Sequence, residues 1–99
     1  MLRQTEAYMK VKENYIPREV AGEYLLIPVG EAALKTKGLI SMTESGYLLF
    51  CKLQQSTTRG ELLQCILGEY DVSDAQAEAD IEEFLQQMRS LDMLEEDEA

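Results

Sequence analysis

The chain has 99 residues, the usual size of one domain and too few for two independently stable cores. It carries 19 Asp and Glu against 9 Lys and Arg, which gives a formal net charge of −10. Nucleic acids and anionic membranes recruit basic side chains, so this acidity disfavours both as partners. The chain has no His and two Cys, which excludes the common zinc-finger patterns and catalysis that relies on His.

The start of the chain is not expected to be a secretion signal. Its first eight residues lack the apolar stretch of a secretion signal, and no later segment is apolar for the length of a bilayer. We therefore expect a cytoplasmic protein. Residues 1–9 have no clear period and predict a flexible extension, with Met1 and Met9 both open as the native start. The folded domain is expected to span residues 10–94.

Charge and periodicity both change near the middle of the chain. Residues 1–50 hold six basic and six acidic side chains, whereas residues 51–99 hold three and thirteen. The first half consists of short β-type runs bounded by Gly and Pro. In the second half, apolar residues recur every three to four positions, as on amphipathic helices. This pattern predicts an α+β fold in which a small sheet precedes a helical layer.

The clearest β-type feature is a hairpin. Residues 14–20 (NYIPREV) and 23–29 (EYLLIPV) predict two antiparallel strands joined by a turn at residues 21–22. Pro17 and Pro28 lie within these strands. Because proline cannot donate to a strand ladder, each must lie at an edge, a bulge or a strand end.

A third strand and three helices follow the hairpin. Residues 30–38 predict a connecting loop, and residues 39–42 (LISM) predict a short strand that leads directly into a helix. Thr43, Thr58 and Ser73 each precede an amphipathic stretch and predict its N-cap, with a capping box of the Thr-x-x-Glu type at Thr58. The third helix has the longest apolar face, formed by Ala77, Ile81, Phe84, Leu85, Met88 and Leu91.

The chain ends in an acidic run at residues 95–98 (EEDE). If the third helix continued here, these carboxylates would lie where the helix dipole favours cations. We therefore expect residues 95–99 to form a frayed tail.

Catalytic chemistry is not indicated. Cys51 and Cys65 fall in predicted helices and are interpreted as small buried or half-buried thiols rather than redox groups. Adjacent carboxylates such as Glu82 and Glu83 are expected on solvated helix surface, where nothing shifts a pKa enough for acid–base catalysis. We therefore expect no enzyme, no cofactor and no metal site.

The remaining functional feature is the third strand. If it lies at the edge of the sheet, its free N–H and C=O groups can accept an added strand from a peptide. A third helix lying beside it would complete a groove. The alternative is that this edge is simply short and protected.

Four stretches of the chain occur in a specific order: REVAGEYLLIPVGEAAL (18–34), GLISMTESGYLLFCKL (38–53), TTRGELLQCILGEYDV (57–72) and ADIEEFLQQMRSLDML (79–94). Together they resemble the PqqD family, the coenzyme PQQ synthesis protein D group, whose fold is also called the RiPP recognition element. The resemblance covers residues 10–94.

The resemblance implies a winged-helix-like domain, with a three-stranded antiparallel sheet followed by three helices, that is not itself an enzyme. Such domains bind the leader segment of a ribosomally made precursor peptide between the third strand and the third helix. They present it to a modifying enzyme, often a radical SAM protein. The implied peptide-binding residues are Leu39, Ile40, Ser41 and Met42 on the strand and Asp80, Glu83, Phe84, Gln87 and Met88 on the helix. For Phe84 and Met88, a place wholly within the core is the alternative.

Two positions depart from the family pattern. Thr43 stands where members often have Asn, and Asp92 stands where Gly commonly ends the last helix. Thr is an adequate N-cap, whereas Asp tolerates the left-handed conformation less well than Gly.

A winged-helix transcription regulator is the alternative function, because three helices and a small sheet also describe that fold. A DNA-reading domain needs a basic recognition helix. Here the third helix is rich in Asp and Glu, and Arg89 is its one basic residue. This charge pattern favours the peptide-binding interpretation.

Overall fold

The computed structural model describes residues 7–35 and 38–96. Its elements, in chain order, are β1 (Tyr8–Val11), β2 (Tyr15–Val20), β3 (Glu23–Pro28), α1 (Glu31–Lys35), β4 (Ile40–Met42), α2 (Glu44–Lys52), β5 (Thr57–Thr58), α3 (Arg59–Glu69), α4 (Asp74–Ser90) and β6 (Leu94–Glu96). Two antiparallel sheets form, with strand orders β2–β3–β4 and β5–β1–β6. The predicted α+β class is confirmed. Within the described ranges, none of the helices has the length and apolar character needed to cross a membrane.

The hairpin of β2 and β3 follows the predicted pattern. Its two-residue turn has positive φ at both central positions, 53° at Ala21 and 82° at Gly22. This geometry matches the right-handed twist of the flanking strands. The strands pair continuously from Val20 opposite Glu23 to Tyr15 opposite Pro28.

Helices α2, α3 and α4 begin directly after the residues predicted as their N-caps. At Thr58 the capping box is complete: the hydroxyl accepts the N–H of Glu61 at 3.2 Å, and Glu61 Oε1 accepts the N–H of Thr58 at 3.3 Å. At Ser73 only half of the capping box forms. Its hydroxyl accepts the N–H of Gln76 at 3.1 Å, but the Gln76 side chain donates to Asp80 instead. These caps fix where each helix starts.

The core lies between α4, the other long helices and the inner faces of both sheets. Its buried members are Met9, Val11, Leu26, Leu49, Phe50, Leu53, Leu62, Ile66, Ala77, Ile81, Phe84, Leu85, Met88 and Met93. The face of α4 predicted to be apolar supplies five of them. Leu91, expected on the same face, is the C-cap residue and remains 42% exposed.

The second sheet was not anticipated from the sequence. Tyr8 and Met9, expected in a flexible extension over residues 1–9, belong to β1, and Glu95 and Glu96, expected in a frayed tail over residues 95–99, belong to β6. β1 pairs with β6 on one side and β5 on the other. Residues 1–6 and 97–99 lie outside the described part of the chain.

The predicted loop over residues 30–38 also contains structure. Glu31–Lys35 form the single-turn helix α1, which lies against β3. Residues 36–37 lie outside the described ranges.

A compact turn ends α4 and directs the chain into β6. Asp92 adopts a left-handed φ of 56°, its N–H bonds to the carbonyl of Arg89 at 3.0 Å, and the N–H of Met93 bonds to the carbonyl of Met88 at 2.9 Å. This is the Schellman arrangement, with Asp in the position that usually holds Gly. Lys12 Nζ lies 3.0 Å from the Asp92 carboxylate. The departure from the family pattern is therefore accommodated without losing the turn.

An ion-pair network then joins β6 to α4. The Arg89 guanidinium donates to both carboxylate oxygens of Glu96, at 2.9 and 3.1 Å, and lies 3.8 Å from Glu82. Glu82 also pairs with Arg59 of α3. The hydrogen bond from Arg89 is the main reason that the pKa of Glu96 lies below its usual value.

This network predicts a pH-dependent contribution to stability. A lowered carboxylate pKa stabilises the fold above the usual value of 4.5, and the stabilisation is lost as the pH falls through the folded pKa. At pH 7, Glu96→Gln should lower the free energy of unfolding by about 0.2–1 kcal/mol, as for partly exposed pairs. The difference from wild type should close below the usual pKa. Denaturant unfolding across pH measures it.

Glu95→Gln is the matched control for that measurement. Glu95 is exposed and has no ion pair among the described residues, yet its removal changes the net charge equally. A Glu96→Gln deficit that stays constant with pH, or that Glu95→Gln reproduces, would contradict the role assigned to the Arg89–Glu96 pair.

Candidate functional site

A groove of about 300 Å³ lies between β4, the start of α2 and the middle of α4. It lies where the edge of β4, the predicted third strand, faces α4, the predicted third helix. Its lining residues are Ser41, Met42, Thr43, Ser45, Gly46, Leu49, Asp80, Glu83, Phe84 and Gln87.

The groove floor is apolar, and its depth depends on Gly46. A Cβ at this position would lie 3.1 Å from both Met42 Cε and Thr43 Oγ1, and 3.6 Å from Phe84 Cδ1. The absence of a side chain at Gly46 therefore lets Met42 and Thr43 pack closely against the helix backbone, and a larger residue would have to displace them. Phe84 is only 5% exposed, so it packs in the core and its edge forms part of the floor.

The open side of the groove can be identified from strand alternation. In an antiparallel pair, one residue directs its N–H and C=O toward the partner and the next directs both away. Pro17 pairs with Leu26 and has no N–H, so its backbone faces away from β3. Three pairs further along, Asn14 and Val29 should again face each other, and the N–H of Val29 does donate to the carbonyl of Asn14 at 2.8 Å.

The same alternation continues across β3 to β4. Because Leu26 does not bond to β2, its backbone groups face Ile40, its partner on β4. The next residue along β4, Ser41, therefore directs its N–H and C=O away from the sheet. Within the described ranges, β4 has β3 as its sole strand neighbour. Ser41 thus presents one donor and one acceptor at the open edge, beside the groove.

The opposite edge of this sheet, along β2, is blocked at its centre. Pro17 offers no N–H, and its carbonyl accepts a hydrogen bond from Arg18 Nη1 at 2.9 Å. Proline and charged side chains are common means of protecting an edge strand. The β4 edge lacks both devices, so the two edges of this sheet are not equivalent.

The α4 wall of the groove is polar and acidic. The carboxylate of Asp80 is half-buried and accepts a hydrogen bond from the Gln76 amide at 2.9 Å. Glu83 and Gln87 are exposed, and the Glu83 carboxylate has no ion-pair partner among the described residues. No Lys or Arg of the described chain lines the groove. Two carboxylates therefore face this space without a compensating cation.

An aromatic pair holds the start of α2 against the sheet. The rings of Tyr24 on β3 and Tyr47 on α2 lie 4.8 Å apart, centroid to centroid, and are inclined at 46°. Tyr24 is the register partner of Met42, and Tyr47 follows Gly46 in the chain. The contact therefore positions two residues of the groove floor relative to one another.

The cysteines do not contribute to this site. Cys51 and Cys65 are half-buried free thiols. Burial is the main cause that raises the pKa of the Cys51 thiol above its usual value. This agrees with their interpretation as structural residues.

Most of the residues assigned from the sequence are brought together here. Six of the nine line the groove: Ser41, Met42, Asp80, Glu83, Phe84 and Gln87. The other three do not. Leu39 precedes β4 and is 56% exposed, Ile40 packs its side chain against the core, and Met88 is completely buried. For Met88 the core alternative is correct, because it lies on the same buried stripe of α4 as Leu85.

Four lining residues were not assigned to the groove from the sequence: Thr43, Ser45, Gly46 and Leu49. Thr43 was interpreted only as an N-cap. For Gly46 and Leu49 the signal is their spacing in α2, because residues three apart share a helix face. A small residue within that stripe indicates a close approach or an open space.

A second, wider hollow of about 630 Å³ lies over the outer surface of α3. It is lined by Lys52, Thr58, Gly60, Glu61, Gln64, Cys65, Gly68 and Glu69. Apart from Thr58 of β5, all of its lining residues lie on helices α2 and α3, so helical side chains supply nearly all of its surface. The groove beside β4 combines a shaped apolar floor with free backbone groups.

The fold and groove define a class: a small α+β domain in which one sheet edge is blocked and the other opens onto a helix-walled groove. The chain belongs to the PqqD family, because the protein-family model described as coenzyme PQQ synthesis protein D matches residues 29–94, two thirds of the sequence. A search of curated proteins gave no significant match.

A solved structure of "TbiB1 in Complex with the TbiA(beta) Leader Peptide" has the same fold. Its TM-score is 0.68 at 19% sequence identity, and the match covers 87% of this chain and 94% of that chain. At this identity the likeness establishes the fold, which agrees with the family assignment.

The helical glycines Gly46 and Gly68 should respond differently to substitution by Ala. Ala is favoured over Gly inside a helix by about 0.5–1 kcal/mol. Gly68→Ala should realise this gain, because nothing lies within 4 Å of its Cβ position. Gly46→Ala should gain less, because its Cβ crowds Met42 and Thr43. Denaturant unfolding of both variants measures the difference, and equal gains would contradict a tight floor at Gly46.

Proposed function

We propose that this chain is a cytoplasmic, non-catalytic adaptor that binds the leader segment of a ribosomally made precursor peptide. The observation that carries the proposal is the open edge at Ser41, beside a groove with an apolar floor. Membership of the PqqD family supports it. The fold shared with a protein solved in complex with a leader peptide supports it further.

Binding would proceed by strand addition. An extended peptide beside β4 would bond to the N–H and C=O of Ser41, and these bonds do not depend on the peptide's sequence. Alternate side chains of the peptide would point toward the groove floor at Met42, Gly46 and Phe84, where shape provides selectivity. The backbone bonds would supply affinity and the groove would supply register.

The adaptor would then present the bound peptide to a modifying enzyme. We propose a radical SAM enzyme as this partner, on the strength of the family assignment. The groove itself offers carboxylates, hydroxyls and an amide but no nucleophile paired with a base. The bond-making step is therefore assigned to the partner, and this chain needs no cofactor of its own.

The mode of peptide binding can be tested by NMR. Labelled protein is titrated with the synthetic leader segment of a candidate precursor peptide. We expect a dissociation constant in the micromolar range or tighter, as for a modest peptide interface. The amide of Ser41 should shift strongly, because it gains a hydrogen-bond acceptor. Saturable binding that leaves the amides of residues 39–43 unmoved would contradict strand addition at this edge.

Paired glycine variants separate the groove from general stability. Gly46→Ala should weaken leader binding by about tenfold, equivalent to roughly 1.4 kcal/mol, because its methyl group would displace Met42 and Thr43, which line the groove. Gly68→Ala lies on the outer face of α3 and should bind as wild type does. Calorimetric titration of both variants measures this. Equal affinities in both would place the peptide outside the groove.

A further prediction concerns the alternative function. Helix α4 carries Asp80, Glu82 and Glu83 against Arg89, and Arg89 is already paired with Glu96. Phosphate binding needs basic groups that are free to replace counterions. We therefore expect no sequence-selective duplex binding at physiological salt. Fluorescence anisotropy with a randomised duplex pool measures it, and submicromolar selective binding would favour the transcription regulator.

A further inference from the structure

The acidic wall of the groove indicates which peptides it accepts, provided that the proposed strand addition occurs. Ser41 is exposed, and its side chain lies on the opposite face from those of Ile40 and Met42, which pack toward the core. A peptide residue directly opposite Ser41 would share its face. The peptide residues before and after it would therefore point toward the groove, about 7 Å apart.

The groove offers two different environments to these positions. The floor is apolar and is lined by Met42, Leu49 and Phe84, with Met42 packed closely against Gly46. The wall carries the carboxylates of Asp80 and Glu83, which lie three residues apart and so on one face of α4. The Gln76 amide holds the Asp80 carboxylate in place.

A bound strand would cover these carboxylates and remove water from them. A neutral or acidic peptide would leave both charges desolvated and uncompensated, which disfavours its binding. A Lys or Arg side chain would supply the missing cation, since no described Lys or Arg lines the groove. The charge therefore acts as a filter on the peptide's sequence.

We propose that the groove selects a strand with an apolar residue and a basic residue at its two groove-facing positions, two residues apart. The apolar side chain occupies the floor beside Gly46, and the basic side chain lies against Asp80 and Glu83. The ligand class is thus a cationic leader segment.

The test uses a displayed library of fully randomised 12-residue peptides, selected against the wild-type protein. We expect the enriched sequences to share an apolar residue and a Lys or Arg separated by one position. The best binder is then resynthesised with its basic residue changed to Gln, and both peptides are titrated into the wild type, an Asp80→Asn/Glu83→Gln variant and a Glu78→Gln control. Glu78 is exposed on α4 and lies outside the groove.

The Lys-to-Gln or Arg-to-Gln change should weaken binding to wild type and to Glu78→Gln by about tenfold, and to the double variant by less than about twofold. The binding preference should also weaken as salt rises. Thermal melting checks that the double variant is folded.

The possible outcomes separate this inference from the proposed function. Enriched peptides that shift the Ser41 amide without a basic preference would overturn the charge filter and leave strand addition supported. The charge filter would also be overturned if the basic residue contributed as much to binding in the double variant as in the wild type. A selection that yields no binder at this edge would overturn the proposed function and the inference together.

Discussion

The groove depends on the packing of one helix, α4, against α2, α3 and β6. Its buried face contributes Ala77, Ile81, Phe84, Leu85 and Met88 to the core, which also receives side chains from β1, β3, α2 and α3. Burying large apolar side chains stabilises such a fold by about 1.5–3 kcal/mol each. Because this face is fixed by the core, the neighbouring face that carries Asp80, Glu83 and Gln87 has a fixed position relative to β4.

Strand alternation is the second constraint, and it connects residues that are far from the site. Pro17 cannot donate a hydrogen bond, so its position on β2 determines which residues of β3 face β4, and hence that Ser41 faces outward. A register shift of one residue would turn Ser41 inward and exchange the two faces of β4. In the observed register, Ser41 pairs with Leu25 of β3.

Local patterns predicted most of the fold, and nonlocal pairing accounts for the rest. The hairpin turn and the caps at Thr43, Thr58 and Ser73 depend on residues within a few positions of each other, so the sequence reveals them. Strands β1, β5 and β6 contain two to four residues each, and Met9 pairs with both Thr57 and Glu96. Segments this short have no measurable period, and their partners lie too far along the chain to be identified from spacing.

For the same reason, only part of the candidate site could be predicted from the sequence. Helical spacing places Asp80, Glu83, Phe84 and Gln87 near one another, but it does not distinguish Phe84, at the edge of the buried stripe, from Met88, at its centre. The place of Gly46 in the groove does not follow from the sequence, because an absent side chain has no hydrophobic signature, although it lets Met42 and Thr43 pack closely in the floor. The features that define the groove are thus a missing side chain, an unpaired strand edge and two uncompensated carboxylates. Each becomes visible once tertiary packing places its neighbours, and each has a consequence for the chemistry of the strand that binds beside Ser41.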